Sequence, residues 1–456
     1  MANSPTKKYY LETFGCQMNF HDSEKVAGSL VAEGYTPVEA MEQADLILFN
    51  TCSIRDKAAQ KVFHRLANFK ALQRQGKRFG VLGCVAQHEG EEIFKKAPHV
   101  SLVVGSASYV RLPELLRELE SGNDRVTGLG AASDETFDTE FTRRDNPHRA
   151  YLTLIEGCDK HCAYCVVPFT RGRERSKPST AVLAQAQQLA AAGYTEVQLL
   201  GQNVNSYRDP TPPNLTFAHL LAAMAQVPGL KRVRYTTSHP RDFDDDIVRV
   251  MGEYPVLCDH VHLPVQSGSD HVLHLMRREY TRDQYLRKVE VIKGCRRPLD
   301  ITTDLIVGFP GETDRDFEQT VDLLSTVHYS GVFIFKYSPR PLTAAITMPD
   351  SVPEGVKAER FAILQQRQQA LQAEDNQAWV GRTVEVMIEG QNPKLGQWVG
   401  RSSQNRVVNF TSSGLRPNVA TELAVLEPLA AGMYVPVHIS KAGSNSFVGE
   451  QVAAVS

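Results

Sequence analysis

Residues 149–165 read RAYLTLIEGCDKHCAYC. A short apolar run, Tyr151–Glu156, reaches a glycine and passes straight into Cys158, Cys162 and Cys165, spaced C-x3-C-x2-C. Such a run predicts a β-strand, so the pattern places three thiols on one loop at a strand end. Iron–sulfur clusters usually take four thiolates. Three on one loop can hold three irons and leave the fourth iron open to a substrate-like ligand. Zinc would want a fourth protein ligand; His161 could supply it, but in a cramped geometry.

Working outward, the same rhythm repeats on the C-terminal side. Strand candidates Glu196–Leu200, Lys231–Thr236, His260–Val265, Ile301–Val307 and Val332–Tyr337 alternate with helical stretches such as Ala181–Ala192, Phe217–Gln226 and Arg315–Thr326. Six βα units in tandem predict a partial (β/α)6 barrel over 144–376, with its site at the C-terminal ends of the strands. Towards the N-terminus, Ser121–His148 reads as a linker, poor in large apolar residues. Before it, over 8–124, strands Lys8–Phe14, Leu46–Asn50, Arg78–Leu82 and Val100–Val104 alternate with helices Asp22–Glu33, Ile54–Gln75 and Gly90–Lys96. That alternation predicts an α/β domain built on a parallel sheet. After a helix over Glu354–Gln377 come short strands, Thr383–Ile388, Trp398–Ser402, Val407–Phe410 and Tyr434–Ser440, separated by Gly, Asn and Pro. They predict a small all-β barrel over 378–442.

Composition narrows the classes. The chain has 456 residues, 42% hydrophobic and 22% charged, enough for real cores and ordinary for a globular protein. No run of 18 apolar residues is present, which argues against a membrane helix. The N-terminal stretch has no apolar signal core, and eight cysteines are too sparse for a disulfide framework. A cytoplasmic protein is expected. With 50 basic and 52 acidic residues, bulk charge does not attract polyanions, so nucleic acid would have to meet a local basic patch. Residues 55–78 offer one: Arg55, Lys57, Lys61, Arg65, Lys70, Arg74, Lys77 and Arg78 against Asp56 alone. The alternative is a solvated helix face. Arg171, Arg173, Arg175 and Lys177 form a second cluster.

The cysteine triplet on a (β/α) barrel resembles that of the radical S-adenosylmethionine (SAM) enzymes. The resemblance implies a [4Fe–4S] cluster on Cys158, Cys162 and Cys165. Its open iron would chelate the amino and carboxylate groups of SAM, and reduction would release a 5′-deoxyadenosyl radical. Tyr164 takes the aromatic position that packs near the adenine. The polar clusters at the other strand ends become SAM-ligand candidates: Gly201, Gln202 and Asn203; Thr237 and Ser238; Gln266, Ser267 and Gly268; and Asp304 with Gly308, read as a buried strand running to an exposed glycine. Each could equally be a cap or turn residue, and Asp304 a satisfied interior carboxylate. His260, His262 and His271 read as structural.

Cys16, Cys52 and Cys84 are 36 and 32 residues apart, and each directly follows a strand candidate. In a parallel sheet those strand ends share one edge, so three thiols could converge there. Three buried core cysteines are the alternative. Their surrounding words, Phe14-Gly-Cys16-Gln-Met-Asn19, Asn50-Thr-Cys52-Ser-Ile-Arg55 and Gly83-Cys84-Val-Ala-Gln87, resemble the three N-terminal blocks of the methylthiotransferases. So do GCDKHCAYCVVPFTRGRER at 157–175, LLGQNVNSY at 199–207, TSHPRDF at 237–243, HLPVQSGS at 262–269 and TDLIVGFPGET at 303–313. The resemblance covers nearly the whole chain and implies a second, auxiliary [4Fe–4S] cluster on Cys16, Cys52 and Cys84, together with a C-terminal TRAM-like RNA-binding module. CQMN with NTCSIR is typical of the branch that puts a methylthio group on carbon 2 of an isopentenylated adenosine beside the tRNA anticodon, consuming two SAM. One departure is Leu342, where the family usually has Gly. The partners so implied are tRNA and an electron donor such as flavodoxin or ferredoxin, with the enzyme a monomer. Rival readings are a methylthiotransferase for threonylcarbamoylated tRNA or a ribosomal protein, and a non-catalytic iron–sulfur or zinc RNA-binding protein. Cys258 and Cys295 match no motif and read as structural.

Overall fold

The computed structural model of the chain describes residues 7–52, 56–130, 141–349, 351–412 and 429–453, with the side chains of 56–59 set aside. Its first unit is a six-stranded, wholly parallel sheet: β1 (Lys8–Phe14), β2 (Thr36–Pro37), β3 (Leu46–Thr51), β4 (Arg78–Gly83), β5 (Val100–Val104) and β6 (Val126–Gly128), in the order β2-β1-β3-β4-β5-β6. In β3 the strand period of two sends Leu46 and Leu48 into one core and Ile47 and Phe49 into the other. Helices α1 (Gln17–Ala32) and α5 (Leu112–Glu120) cover the first face; α2 (Asp56–Phe69), α3 (Cys84–Glu89) and α4 (Glu92–Lys96) cover the second. Two expectations change. The first helix begins at Gln17, directly after Cys16, rather than at Asp22. The expected linker contains β6, which pairs with β5 and so belongs to the sheet.

The central unit is the expected open barrel. Strands β7 (Arg149–Thr153), β10 (Glu196–Leu200) and β11 (Arg232–Tyr235) make one parallel half, and β12 (His260–His262), β13 (Asp300–Val307) and β14 (Gly331–Lys336) the other. A parallel bridge between Val233 and Leu257 links them. Between β7 and β10 lies a two-residue hairpin pair, β8 (Ile155–Glu156) with β9 (Arg175–Ser176). Helices α6 (Val167–Thr170), α7 (Ser179–Ala191), α8 (Phe217–Met224), α9 (Asp245–Glu253), α10 (Asp270–Leu275), α11 (Arg282–Lys293), α12 (Asp314–Val327) and α13 (Glu354–Gln377) complete the unit. The largest apolar core lies between the strands and their outer helices.

The last unit is a closed barrel of β15 (Thr383–Asn392), β16 (Gln397–Ser402), β17 (Val407–Thr411), β18 (Tyr434–Ala442) and β19 (Phe447–Gln451). Its fifth strand lies beyond the expected limit of 442. Phe447 fills the core and β19 closes the barrel between β17 and β18, so the unit must include it.

The small barrel sits against the N-terminal ends of the large barrel's strands. Arg149, first in β7, pairs with Glu389 at 3.0 Å. Arg232, first in β11, donates to the carbonyls of Arg401 and Glu385 at 2.7 and 2.9 Å. Asp300, first in β13, accepts from Arg406 at 2.6 Å. Arg234 donates to the carbonyls of Ser402 and Ser403 at 2.6 and 2.8 Å.

Candidate two-centre site

At the opposite, C-terminal end of the same strands, the β8–β9 hairpin holds the cysteine loop at its base. Gly157 has φ +83, and a Cβ there would lie 2.0 Å from the Arg173 carbonyl oxygen, so only glycine lets the two arms cross. The Gly157 N–H donates to Gln202 Oε1 at 2.6 Å, and the Cys158 N–H to the Gly172 carbonyl at 3.2 Å. Ala163 is fastened on both sides, its N–H to Met276 and its carbonyl to Ala345 N–H. Cys162 is buried, whereas Cys158 and Cys165 are half-buried. Burial pushes the Cys158 thiol up to about 11 and the Cys165 thiol up to about 12. A thiolate in that setting needs a cationic partner, which iron would be.

The strand-end candidates divide. Ser238 is buried, and its hydroxyl has no hydrogen-bond partner among the described residues; the same holds for Asn203 Oδ1 and Thr153 Oγ1. Unsatisfied buried polar atoms at a strand edge fit a polar ligand such as SAM. Thr237 and Gln266 hold φ values of +76 and +75, uncommon for residues with a Cβ, at the ends of β11 and β12. Gln202 spends its carbonyl oxygen on the cysteine loop. Gly201 is needed for packing, since a Cβ there would lie 2.3 Å from Ile155 Cγ2. Asp304 stands 3.5 Å from His262 Nε2 in the barrel lumen. Gly308 is a correction: it is buried rather than exposed, its N–H bonds Glu312 at 2.7 Å, and the stem of Lys357 covers it. Tyr164 OH accepts from Arg278 at 3.3 Å, and its ring meets Phe309 edge-on. His161 is exposed. His260 and His262 both bond Thr302 Oγ1 at 2.9 Å, and His271 bonds Asp316 at 3.1 Å. Cys258 is buried, and Cys295 lies 3.6 Å from the Val248 carbonyl.

The second trio forms on the N-terminal sheet. Cys16 follows β1, Cys52 follows β3 and Cys84 follows β4; these strands are adjacent, and their parallel direction brings the three residues to one edge. Cys52 hydrogen-bonds the Cys16 thiol, the main reason that thiol is pulled down to about 6. Cys16 also stands at the N-terminus of α1, where helix N–H groups favour a thiolate, and Asn19 Oδ1 lies 3.3 Å from its N–H. Burial raises the Cys84 thiol, opposed by Arg171. Asn50 binds the region together: its Nδ2 donates to the Asn19 carbonyl and to Ser23 Oγ, both at 2.9 Å. As the chain stands, no group of three or more His, Cys, Asp or Glu among the described residues is gathered tightly enough for a single metal ion. Cluster ligation makes a weaker demand, because each thiolate binds its own iron.

Three family descriptions match in series: Uncharacterized protein family UPF0004 over residues 8–105, Radical SAM superfamily over 152–324 and TRAM domain over 377–452. The chain is 60% identical over 449 residues to the tRNA-2-methylthio-N(6)-dimethylallyladenosine synthase of Solibacter usitatus (strain Ellin6076), spanning 98% of this chain and 99% of that one. It is 57% identical over 453 residues to the protein of the same name from Koribacter versatilis (strain Ellin345), spanning 99% of each. The chain belongs to the tRNA-2-methylthio-N(6)-dimethylallyladenosine synthase family. It is therefore a radical SAM methylthiotransferase. Its fold is shared with the radical S-adenosylmethionine methyltransferase TsrM from Kitasatospora setae, at a TM-score of 0.55 and 13% identity over 75% of this chain and 74% of that one.

In this synthase-family chain the sequence reading missed two neighbours of the loop cysteines. Arg278, fully enclosed, donates to Cys162 Sγ at 3.4 Å, and His239 Nε2 lies 4.0 Å from the same sulfur. Burial, aided by Arg278, pushes His239 down to about 2, so the ring is neutral. His239 lay inside the matched word TSHPRDF and could have been singled out; Arg278 lay in none of the quoted words. The second basic cluster is also corrected. Arg171 and Arg175 are ion-paired to Glu156, and Lys177 bonds Gln185, which leaves Arg173 as its exposed member. In the first patch, Arg65 pairs with Glu12, while Lys77 and Arg78 cap backbone carbonyls. Lys61, Lys70 and Arg74 are exposed; Arg55 and the Lys57 side chain lie outside the described residues.

Proposed function

We propose that the chain places a methylthio group on carbon 2 of N(6)-isopentenyladenosine beside the tRNA anticodon, with one [4Fe–4S] cluster on Cys158, Cys162 and Cys165 and a second on Cys16, Cys52 and Cys84. The observation that carries this is the adjacency of the two trios: α3, which begins at Cys84, packs on α6, which begins two residues after Cys165. When bound, the clusters and two SAM molecules supply the chemistry, one SAM giving the methyl group and the other a carbon-centred radical able to take the unactivated hydrogen from carbon 2.

The chain's own part is binding. Ser238 and Asn203 offer free polar atoms to SAM, Gln202 and Gly201 hold the loop against β10, and Tyr164, Gln266, Asp304 and Gly308 border the same strand ends. The N-terminal domain closes one flank: His21 on α1 meets the Tyr151 ring of β7 edge-on, and Glu24 pairs with Arg144 at 3.2 Å. The exposed face of Lys61, Lys70 and Arg74 supplies sequence-independent phosphate contacts, and the C-terminal barrel supplies the rest of the RNA surface. The adenosine must leave the anticodon-loop stack to lie between the trios. Flavodoxin or ferredoxin would serve as electron donor to a cytoplasmic monomer. The units run from β1 to the end of β6, over 144–376, and from 378 to the end of β19.

Anaerobic reconstitution with SAM, reductant and isopentenylated tRNA, followed by nucleoside mass spectrometry, tests the reading. The expected result is the methylthio product with about eight irons per chain. Zinc after anaerobic purification, or equal turnover of threonylcarbamoylated tRNA, would overturn it.

A further inference from the structure

A single buried cation joins the two trios. Arg171, six residues after Cys165, is 3% exposed. Its Nη2 pairs with Asp22 Oδ2 at 2.5 Å and its Nη1 with Glu156 Oε1 at 2.7 Å. Asp22 lies on α1, six residues after Cys16, and Glu156 lies two residues before Cys158. The charge of the same guanidinium also acts on the Cys84 thiol, favouring its thiolate against the effect of burial. One side chain thus binds both the element that carries Cys16 and the start of the loop that carries Cys158.

Burying an arginine is costly unless every side is paired. A plain domain contact could be made from apolar side chains at no such cost. The planar fork of five N–H donors is what lets one group hold two carboxylates at fixed angles; a lysine, with a compact point charge, cannot. Arg175 bonds the second oxygen of Glu156 at 3.3 Å, which holds that carboxylate in place. Ser106 Oγ donates to the carbonyl of Thr170, the residue before Arg171, at 3.2 Å, tying the same segment to the N-terminal domain.

We propose that Arg171 is a positioning residue that sets the separation and orientation of the two cysteine trios, so that a radical formed over one is used at the other. The proposal rests on the two-cluster reading. Its consequence is uncoupling: with Arg171 replaced, each trio keeps its ligands, but SAM is cleaved without product, because a displacement of about 1 Å can cost 10²-fold in rate.

The test uses the full-length reconstituted enzyme as wild type, as Arg171→Lys, and as the triple variant Asp22→Asn/Glu156→Gln/Arg171→Gln, which leaves no buried carboxylate unpaired. Iron is counted, the magnetic interaction between the two reduced clusters is read by electron paramagnetic resonance, and 5′-deoxyadenosine is measured per methylthiolated nucleoside. The expected result is about eight irons in all three, an altered cluster–cluster interaction in both variants, and at least a tenfold rise in SAM cleaved per product. Wild-type interaction and wild-type ratio in an eight-iron variant would overturn the role of Arg171. About four irons in the wild type would instead overturn the two-cluster reading beneath it.

Discussion

The two cysteine trios contrast in how each is assembled. Cys158, Cys162 and Cys165 lie within eight residues, on a loop clamped at its base by the β8–β9 hairpin. Cys16, Cys52 and Cys84 span 69 residues and meet only because β1, β3 and β4 are neighbours with one direction. Local chain geometry holds the first trio; the second is held by the whole sheet, its two cores and the Asn50 network. The second should therefore fail earlier under any perturbation of global stability.

The sharpest test of that contrast separates the centres. Replacing Cys158, Cys162 and Cys165 with Ala should remove about four irons and abolish SAM cleavage. Replacing Cys16, Cys52 and Cys84 should also remove about four but leave SAM cleavage without tRNA intact, as iron assay and 5′-deoxyadenosine yield would show. Loss of cleavage in the second variant would erase the distinction.

A weaker cut is Leu48→Ala. Leu48 is fully buried in the α1-side core, and its truncation should cost about 2–5 kcal/mol. In a urea titration, irons of the dispersed trio should then leave at lower denaturant than those of the loop trio, whereas simultaneous loss would show one cooperative unit.

Asn50→Ala removes two donors that bind Asn19 and Ser23. A cost of about 1–3 kcal/mol is expected, together with reduced auxiliary iron and an unchanged spectrum from the loop cluster. Charge reversal of Lys61, Lys70 and Arg74 to Glu lies on the same N-terminal domain but touches no thiol. It should flatten the salt dependence of tRNA binding by about two to three in slope, with both clusters full; unchanged affinity would make this face merely solvated.

The smallest effect concerns the backing of the loop trio. Leu342 is exposed and holds φ +67, a left-handed conformation that glycine adopts without a Cβ penalty. The strain of a left-handed leucine is about 1–2 kcal/mol, and Leu342→Gly should recover roughly 1 kcal/mol in thermal unfolding with no change in iron content.

Much of this was legible in the residues. Period-two and helical patterns placed most of the strands in the two α/β units. The missed ones, β2, β6, β9 and β19, are short or lack a continuous apolar run. β6 was read as linker because Val126-Thr-Gly128 has too little apolar content to declare itself; it is a strand because β5 offers an open edge. The two cysteine trios stood out as candidates as well, one from spacing and strand-end position and one from position plus family words. The basic residues were less legible, because charge in a sequence does not say which side chain meets a carboxylate. Arg65 and Arg171 look alike on paper, yet one is half-exposed beside Glu12 and the other is sealed between two domains.

The sequence by itself therefore determined the three units, the two cysteine trios as candidates and the family. Periodicity, ligand spacing and motif words are local properties and survive without coordinates. Tertiary structure alone decided that the small barrel docks on the N-terminal strand ends, opposite the cysteine loop, and that Arg278 and His239 flank Cys162. It also decided that Arg171 stands between the trios. These depend on which distant elements pack together, because a buried charge is tolerated only where the fold brings its partners to it.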